Sequence, residues 1–329
     1  DARMFPTINF STIASTSCNT EYDGSITVTA STTTFNSSTA YNFVWTDPAG
    51  MTISDAMAVT SPRTFNSQSL GGPVGERIGP AIYPITITNT SNMCATASSV
   101  EVLRNVVPIA IVTADADSLT HCTVPNGAVE VKDITVGGLS TALGNFSFAW
   151  DNGSTVNPTT GLVAGDYFAT VTKTATTTKA SGCVSAPFKV TVDDARMFPT
   201  INFSTIASTS CDPLEHDGSI TVTASTVGFT GEQYDFDWTT LPTNSVVASR
   251  NGGAGFASPQ VFNSERLGGA IGQRVGPGTF TITVTNRFNS CSSDGEAEVV
   301  ANEEALEILT YDKNDQDICM PDGDISVLT

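Results

Sequence analysis

The chain has 329 residues, of which 14% are charged, and a formal net charge of −19 at pH 7. Its length predicts two to four domains, and its many Thr, Ser, Val and Gly residues favour strands and turns over helices. The negative charge argues against nucleic acid and anionic membranes as partners, and no apolar run of about 18 residues is present to span a bilayer.

The opening stretch of the chain is repeated. Residues 1–18, DARMFPTINFSTIASTSC, recur without change at 194–211. The match continues from EYDGSITVTAST (21–32) to EHDGSITVTAST (215–226), and an insertion of four residues follows Trp238 in the second copy. A stretch that recurs inside the chain does not behave as a signal peptide. We therefore expect it to form a joint between modules of a longer protein, and the insertion to lie in a loop.

A second, weaker repeat alternates with the first. It contains Cys122, NFSFAW ending at Trp150, and GLVAGDYFATVT at 161–172. The interval from the first Cys to the Trp is 27, 28 and 27 residues in the three segments, which is typical of tandem modules. We call the two kinds of module A and B. The predicted order is A (1–105), B (106–193), A (194–302) and the truncated start of a second B (303–329).

Short runs of alternating apolar residues follow one another within each module. They include TINFS, GSITVTAS, YNFVW and YPITITN in the first A module, and GAVEVKDITV, NFSFAW, DYFATVT and FKVTV in the B module. Gly, Asn, Asp and Pro separate these runs at spacings typical of β-sandwiches. The predicted fold is all-β, with one sandwich per module in a beads-on-a-string array. The predicted core residues are Trp45, Trp150, Trp238, Tyr83, Tyr167 and Phe280.

The seven cysteines fit one pair in each complete module. The predicted disulfides are Cys18–Cys94, Cys122–Cys183 and Cys211–Cys291, with Cys319 left unpaired because the last module is truncated. A metal site is the alternative, but the chain has no Cys-x-x-Cys pair and no histidine cluster. Disulfides predict a location outside the reducing cytosol.

The B module carries the most specific pattern in the chain. Residues 122–183 contain C-x(4)-G-A-V-x-V, then F-x-W-x-N-G, then G-L-x-A-G-x-Y-x-x-T-V and a closing G-C. This pattern resembles the SprB-type repeat of very large surface adhesins in gliding bacteria that use type IX secretion. The A modules share the Cys, D-G-S and Trp positions but lack L-x-A-G-x-Y. The resemblance implies an Ig-like or PKD-like sandwich and a role in adhesion and gliding, and it implies no catalytic residues.

Catalytic chemistry is not expected. The two histidines, His121 and His216, do not occupy equivalent positions, because His216 aligns with Tyr22. Without a repeated nucleophile, acid–base pair or metal-ligand cluster, we predict no enzymatic activity and no cofactor.

Two weaker candidate sites follow from repeated residues. The first is a binding loop at LGGPVGERIG and LGGAIGQRVG, in which Arg77 and Arg274 recur; a loop shaped only for packing is the alternative, since no helix follows to cradle a phosphate. The second is a calcium site in the acidic stretches before the first Cys of each B module, with a solvated linker as the alternative. The candidate calcium ligands are Asp115, Asp117, Asp312, Asn314 and Asp315.

The expected function is that of a repetitive stalk segment in a giant bacterial adhesin, on the cell surface and attached to the outer membrane. The expected partners are an external surface or polysaccharide, neighbouring modules of the same chain, and gliding or secretion machinery that contacts other regions of the protein. Carbohydrate-binding or accessory modules of a secreted enzyme, and a self-assembling surface-layer or filament subunit, are the alternatives.

Overall fold

The computed structural model describes residues 4–33, 39–48, 50–174 and 179–303, and the backbone of 311–314 and 324–327. Within these ranges the regular elements are β-strands and three single-turn 3-10 helices, and no α-helix occurs. The all-β prediction is therefore confirmed. The chain divides into two compact units, Asp1–Leu119 with Pro125–Asp194, and Thr120–Val124 with Ala195–Thr329.

Two sheets build the first A module. Its strands are β1 (Thr7–Ile13), β2 (Ser25–Ser31), β3 (Ala40–Trp45), β4 (Ala56–Thr60), β5 (Arg63–Asn66), β6 (Ala81–Asn89) and β7 (Ala95–Val102). One sheet has the order β1-β2-β5 and the other β4-β3-β6-β7, with antiparallel pairing throughout. Alternate residues of β2 and β6 are buried, and both sheets contribute side chains to one core. This is the packing of a β-sandwich.

The B module forms a second sandwich within the first unit. Its strands are β8 (Ile109–Asp117), β9 (Gly127–Val136), β10 (Leu139–Ser140), β11 (Phe146–Trp150), β12 (Thr159–Leu162), β13 (Gly165–Lys173) and β14 (Phe188–Val192). In one sheet β9 pairs with β8, β10 and β12, and in the other β13 lies between β11 and β14. A single core cluster again combines residues from the two sheets.

The second unit repeats the A sandwich. Its strands are β15 (Thr200–Ile206), β16 (Ser219–Ser225), β17 (Tyr234–Thr240), β18 (Gln260–Asn263), β19 (Gly278–Asn286) and β20 (Ser292–Val299). The sheets are β15-β16-β18 and β17-β19-β20, and a further pair, β21 (Tyr311–Asn314) with β22 (Asp324–Val327), follows. The segment between β17 and β18, which contains the four-residue insertion, makes isolated bridges to β17 where the first A module has strand β4.

All three sandwiches close in the same way. The residue three positions before the first Cys of each module forms a parallel bridge with the chain just after the module's last strand. The bridges are Ser15–Arg104, Leu119–Asp194 and Ser208–Ala301. The segment before each first Cys therefore lies at the end of the sandwich where the chain leaves it, which we call the exit end.

The D-G-S motif is explained by close backbone packing. A Cβ on Gly24 would lie 2.3 Å from the carbonyl oxygen of Ile78, and one on Gly218 would lie 2.5 Å from that of Val275. The same glycine amides donate hydrogen bonds to these carbonyls, at 3.0 and 2.9 Å. Only glycine allows the two backbones to approach this closely.

The predicted core residues differ in burial. Trp45, Trp150, Tyr83, Tyr167 and Phe280 are buried, and each belongs to the core cluster of its module. Trp238 is only partly buried. It packs edge-on against Phe262 and Phe280, and its indole nitrogen has no hydrogen-bond partner.

Candidate functional site

The disulfides link different modules. Cys18 of the first A module is bonded to Cys183 of the B module, and Cys122 of the B module is bonded to Cys291 of the second A module. Cys94 and Cys211 are free thiols. The predicted pairs Cys18–Cys94, Cys122–Cys183 and Cys211–Cys291 are therefore wrong, and Cys319 lies outside the described residues.

Strand length explains why the two cysteines of one module do not form a disulfide. Cys18 follows the exit-end bridge of its module, whereas the carbonyl of Cys94 accepts a hydrogen bond from the Asn89 amide in the turn between β6 and β7. This turn lies at the opposite end, which we call the entry end. At about 3.3 Å per residue, a nine-residue strand separates the two ends by about 30 Å. A disulfide requires Cα atoms within about 7 Å, so the two cysteines of one sandwich cannot meet.

The first joint brings the exit end of the A module against the entry end of the B module. The Cys18 amide donates to the Ser181 carbonyl at 2.8 Å, and the Thr16 hydroxyl oxygen accepts from the Ala180 amide at 2.9 Å. The Cα atoms of the bonded cysteines are 4.8 Å apart. A Cβ on Gly182 would lie 2.6 Å from the Asn19 side chain, so the glycine in the closing G-C permits this close contact.

The second joint repeats the hydrogen bond of the cysteine amide. The Cys122 amide donates to the Asn289 carbonyl at 2.9 Å, and the bonded Cα atoms are 5.0 Å apart. In both joints, therefore, the amide of a first Cys binds the carbonyl two residues before a closing Cys. Asn289 and Cys291 are both buried.

An aspartate of the D-G-S motif shapes each A-module exit end. Asp23 accepts hydrogen bonds from the Ser15 hydroxyl, the Thr16 amide and the Ser17 amide at 2.9, 2.6 and 3.1 Å, and one from the Thr16 hydroxyl. These contacts hold the three residues that precede Cys18 in one conformation. The sequence motif alone did not reveal this role.

Asp217 repeats the arrangement in the second A module. It accepts from the Thr209 amide and hydroxyl at 2.7 and 2.6 Å, and from Ser210 and Ser208 at 3.1 Å each. Burial raises the pKa of Asp217, but these hydrogen bonds outweigh it and hold the pKa below its ordinary value.

The arginine loops are parts of the sandwich. Arg77 and Arg274 each form an antiparallel bridge, with Thr52 and Val246 respectively. Arg77 is exposed, whereas Arg274 is half-buried and its Nε has no hydrogen-bond partner. Their shared role is backbone pairing, and their side chains have different surroundings.

A cleft of about 310 Å³ lies beside Arg274 in the second A module. His216, Gln273 and an ion pair between Arg266 and Glu215 contribute to its walls. His216 is buried, and its Nδ1 is 3.5 Å from the Ser208 hydroxyl. The cleft wall thus presents charged and polar groups that can form hydrogen bonds with a small polar ligand.

The acidic stretch before Cys122 is a strand rather than a linker. Asp115 and Asp117 lie on β8, two residues apart and so on one face. The Lys132 ammonium lies 3.7 Å from Asp115 and donates a hydrogen bond to Glu130, which raises the pKa of Lys132. A lysine cation therefore occupies the space beside Asp115.

Calcium binding stays a prediction. Among the residues that the structure describes, no three His, Cys, Asp or Glu side chains come together as a metal site. Asp312 and Asn314 lie on β21, where only the backbone is described, and Asp315 lies outside the described residues.

Comparisons with known proteins identify no family. No protein-family model and no curated protein matches the chain. The chain is similar to solved structures of the surface layer protein SbsC: domains 1–6 (13% identity, 94% of this chain, 42% of that chain, TM-score 0.24), domains 4–9 (13%, 93%, 49%, 0.22) and rSbsC(31–844) (13%, 94%, 41%, 0.24). The chain thus spans less than half the length of these structures. The scores are too low to establish a common fold, and the identity is too low to transfer a function.

No helix in the described part of the chain has both the length and the apolar character needed to cross a membrane.

Proposed function

We propose that the chain is a stalk segment of a bacterial cell-surface adhesin that serves surface attachment and gliding. The observation that supports this most directly is the covalent bond between consecutive modules, at Cys18–Cys183 and again at Cys122–Cys291. A stalk transmits force from a bound surface to the cell, and a bond between modules prevents one module from being pulled off the next.

Four further features support the proposal. The B-module pattern resembles a repeat of gliding adhesins, and disulfides form in oxidising compartments outside the cytosol. The chain has a formal net charge of −19, although only 14% of its residues are charged. Repeated modules also place many equivalent contacts on one protein, and multivalency then converts weak individual contacts into firm attachment. The proposed partners are accordingly an external surface or polysaccharide and, through other regions, the secretion and gliding machinery.

Labelling and blocking experiments on the producing bacterium test this proposal. Antibodies raised against the 329-residue chain should label intact cells, and their Fab fragments should reduce attachment to glass and slow gliding. A Fab against an unrelated surface protein is the control. Labelling that requires permeabilised cells, or attachment and gliding that are unchanged at saturating Fab, would contradict the proposal.

A pair of variants tests whether the arginine loops contact the external surface. Replacing Arg77 and Arg274 with Ala should weaken attachment, because both positions recur at equivalent places in the A modules. Arg104→Ala is the control for Arg77→Ala alone, since each removes one exposed arginine charge and Arg104 lies away from the loop. Unchanged attachment by the double variant, or equal attachment by Arg77→Ala and Arg104→Ala, would leave the loops with a packing role only.

A further inference from the structure

The two free thiols occupy positions that are crosslinked elsewhere in the same chain. Cys211 is the repeat counterpart of Cys18, and Cys94 is the counterpart of Cys291. Cys18 and Cys291 are in disulfides, whereas Cys211 is exposed and Cys94 is half-buried. Among the A modules, the exit end is thus crosslinked once (occupied, at Cys18) and free once (open, at Cys211). The entry end is likewise occupied at Cys291 and open at Cys94.

The exit end at Cys211 is built like the occupied one. Asp217 holds Thr209 and Ser210 with the same amide and hydroxyl contacts that Asp23 makes to Thr16 and Ser17. Thr16 is only 7% exposed, because Ala180 and its neighbours cover it, whereas Thr209 is exposed. The same surface is therefore formed in both modules, and it is covered in one.

The entry end at Cys94 also matches its occupied counterpart. The Cys94 amide donates to the Asn92 side chain at 3.0 Å, as the Cys291 amide does to Asn289 at 3.1 Å. The side-chain amides of Asn92 and Asn289 donate to the carbonyls of Met4 and Met197, at 2.9 and 2.7 Å. In the occupied turn, the Asn289 carbonyl receives the Cys122 amide; the corresponding acceptor in the open turn is the Asn92 carbonyl.

We propose that Cys94 and Cys211 are crosslinking sites for B-type modules, and that the first Cys of every module bonds to the closing Cys of the module that follows it. Under this rule Cys211 bonds to the closing Cys of a B-type module on its C-terminal side. Cys94 bonds to the first Cys of a B-type module on its N-terminal side. Each interior module is then held covalently to both neighbours, and the array forms a continuous ladder of disulfides.

The bond forms by thiol–disulfide exchange with a small or protein disulfide as the oxidant. The thiolate of one cysteine attacks that disulfide, giving a mixed disulfide and releasing one thiolate. The partner thiolate then attacks the cysteine sulfur and releases the second thiolate. The two cysteines lose two electrons and two protons in total, and the oxidant disulfide is reduced to two thiols.

Extended chains supply the missing partner. In one chain, a second copy of residues 106–193 follows residue 302 in place of 303–329; in another, the same copy precedes residue 1. Both are refolded with a mixture of reduced and oxidised glutathione, digested without reduction and mapped by mass spectrometry. We expect Cys211 to bond to the copied Cys183 in the first chain, and Cys94 to the copied Cys122 in the second, while Cys18–Cys183 and Cys122–Cys291 remain.

Matched variants make the result interpretable. In the first extended chain, Cys211→Ser should leave the copied Cys183 open to alkylation, whereas Cys94→Ser should leave the Cys211 bond unchanged. Circular dichroism of both variants checks that the sandwiches are folded. A bond between the two cysteines of the added copy, or between Cys211 and Cys291, would overturn the rule. So would a bond at Cys211 that forms only between separate chains, seen as a covalent dimer whose yield rises with protein concentration.

Discussion

Replacing Cys18 with Ser should destabilise the first unit, and the same change at Cys211 should not. The two positions are preceded by identical residues, STS, but only Cys18 is bonded, to a cysteine 165 residues away. Losing a native crosslink that closes such a long loop costs about 2–5 kcal/mol of unfolding free energy. For a unit of this size, that loss lowers the melting temperature by roughly 4–20 °C.

Differential scanning calorimetry of the full chain without reductant measures the effect. Cys18→Ser should shift one transition downward, while Cys211→Ser should superimpose on the unmodified protein. With excess reductant, the unmodified protein and Cys18→Ser should coincide, because the crosslink is absent from both. Equal shifts for the two variants would refute the assigned pairing, as would a loss of similar size on replacing Cys94, the predicted but incorrect partner of Cys18.

Three further predictions concern residues that shape the sandwiches. Gly24→Ala should lower the unfolding free energy by about 1–3 kcal/mol in chemical denaturation, because its Cβ would lie 2.3 Å from the Ile78 carbonyl oxygen. Asp217→Asn should make the stability of the second unit less sensitive to acid in a pH series of melting curves. The pKa of Asp217 in the folded protein is lowered below the unfolded value of about 3.9. The carboxylate therefore stabilises the fold above that pH, and this stabilisation is lost as pH falls through the folded pKa. Tyr83→Phe should lower the unfolding free energy by about 1–2 kcal/mol, because the Tyr83 hydroxyl forms hydrogen bonds with the Gly79 backbone. The same change should remove one late-ionising phenol from an ultraviolet titration, because burial raises the pKa of Tyr83 to about 12.

Each of the three has an internal control. Gly144→Ala adds the same methyl group in open space, and a loss equal to that of Gly24→Ala would contradict the clash. Asp212→Asn removes an exposed carboxylate from the same segment. If it changed the fall in melting temperature at low pH as much as Asp217→Asn does, the role of Asp217 would be contradicted. The second A module has Phe280 where the first has Tyr83, so the sandwich accepts Phe at this position. If Tyr83→Phe leaves the high-pH part of the tyrosine titration unchanged, the assignment of the late-ionising phenol to Tyr83 is contradicted.

Much of the fold could be predicted from local sequence. SITVTAS, at 25–31 and again at 219–225, forms strands with alternate residues buried, because the period of two places every second side chain on the core face. The four-residue insertion lies between β17 and β18, where the second A module departs from the first. The D-G-S motif marked a repeated position, but its cause, a glycine against a carbonyl, became visible only with the second sheet in place.

The candidate sites could be predicted less well. Arg77 and Arg274 recur in the sequence, yet one side chain is exposed and the other half-buried, because burial depends on what each loop packs against. Asp115 stands in a row of acidic residues, but Lys132 from the neighbouring strand lies beside it. Strand pairing across the sheet brings such partners together, and the pairing cannot be predicted from the residues next to Asp115 in the sequence.

The sequence by itself determined the repeated all-β modules, since hydrophobic alternation and turn residues act over a few positions. Only the tertiary structure decided the cysteine partners. One module contains two cysteines, and their spacing suggests a pair, but a strand of nine residues holds them at opposite ends of the sandwich. The exit end of one module instead meets the entry end of the next, and Cys18 bonds to Cys183 because the contact between modules, not distance along the chain, brings the two sulfurs together.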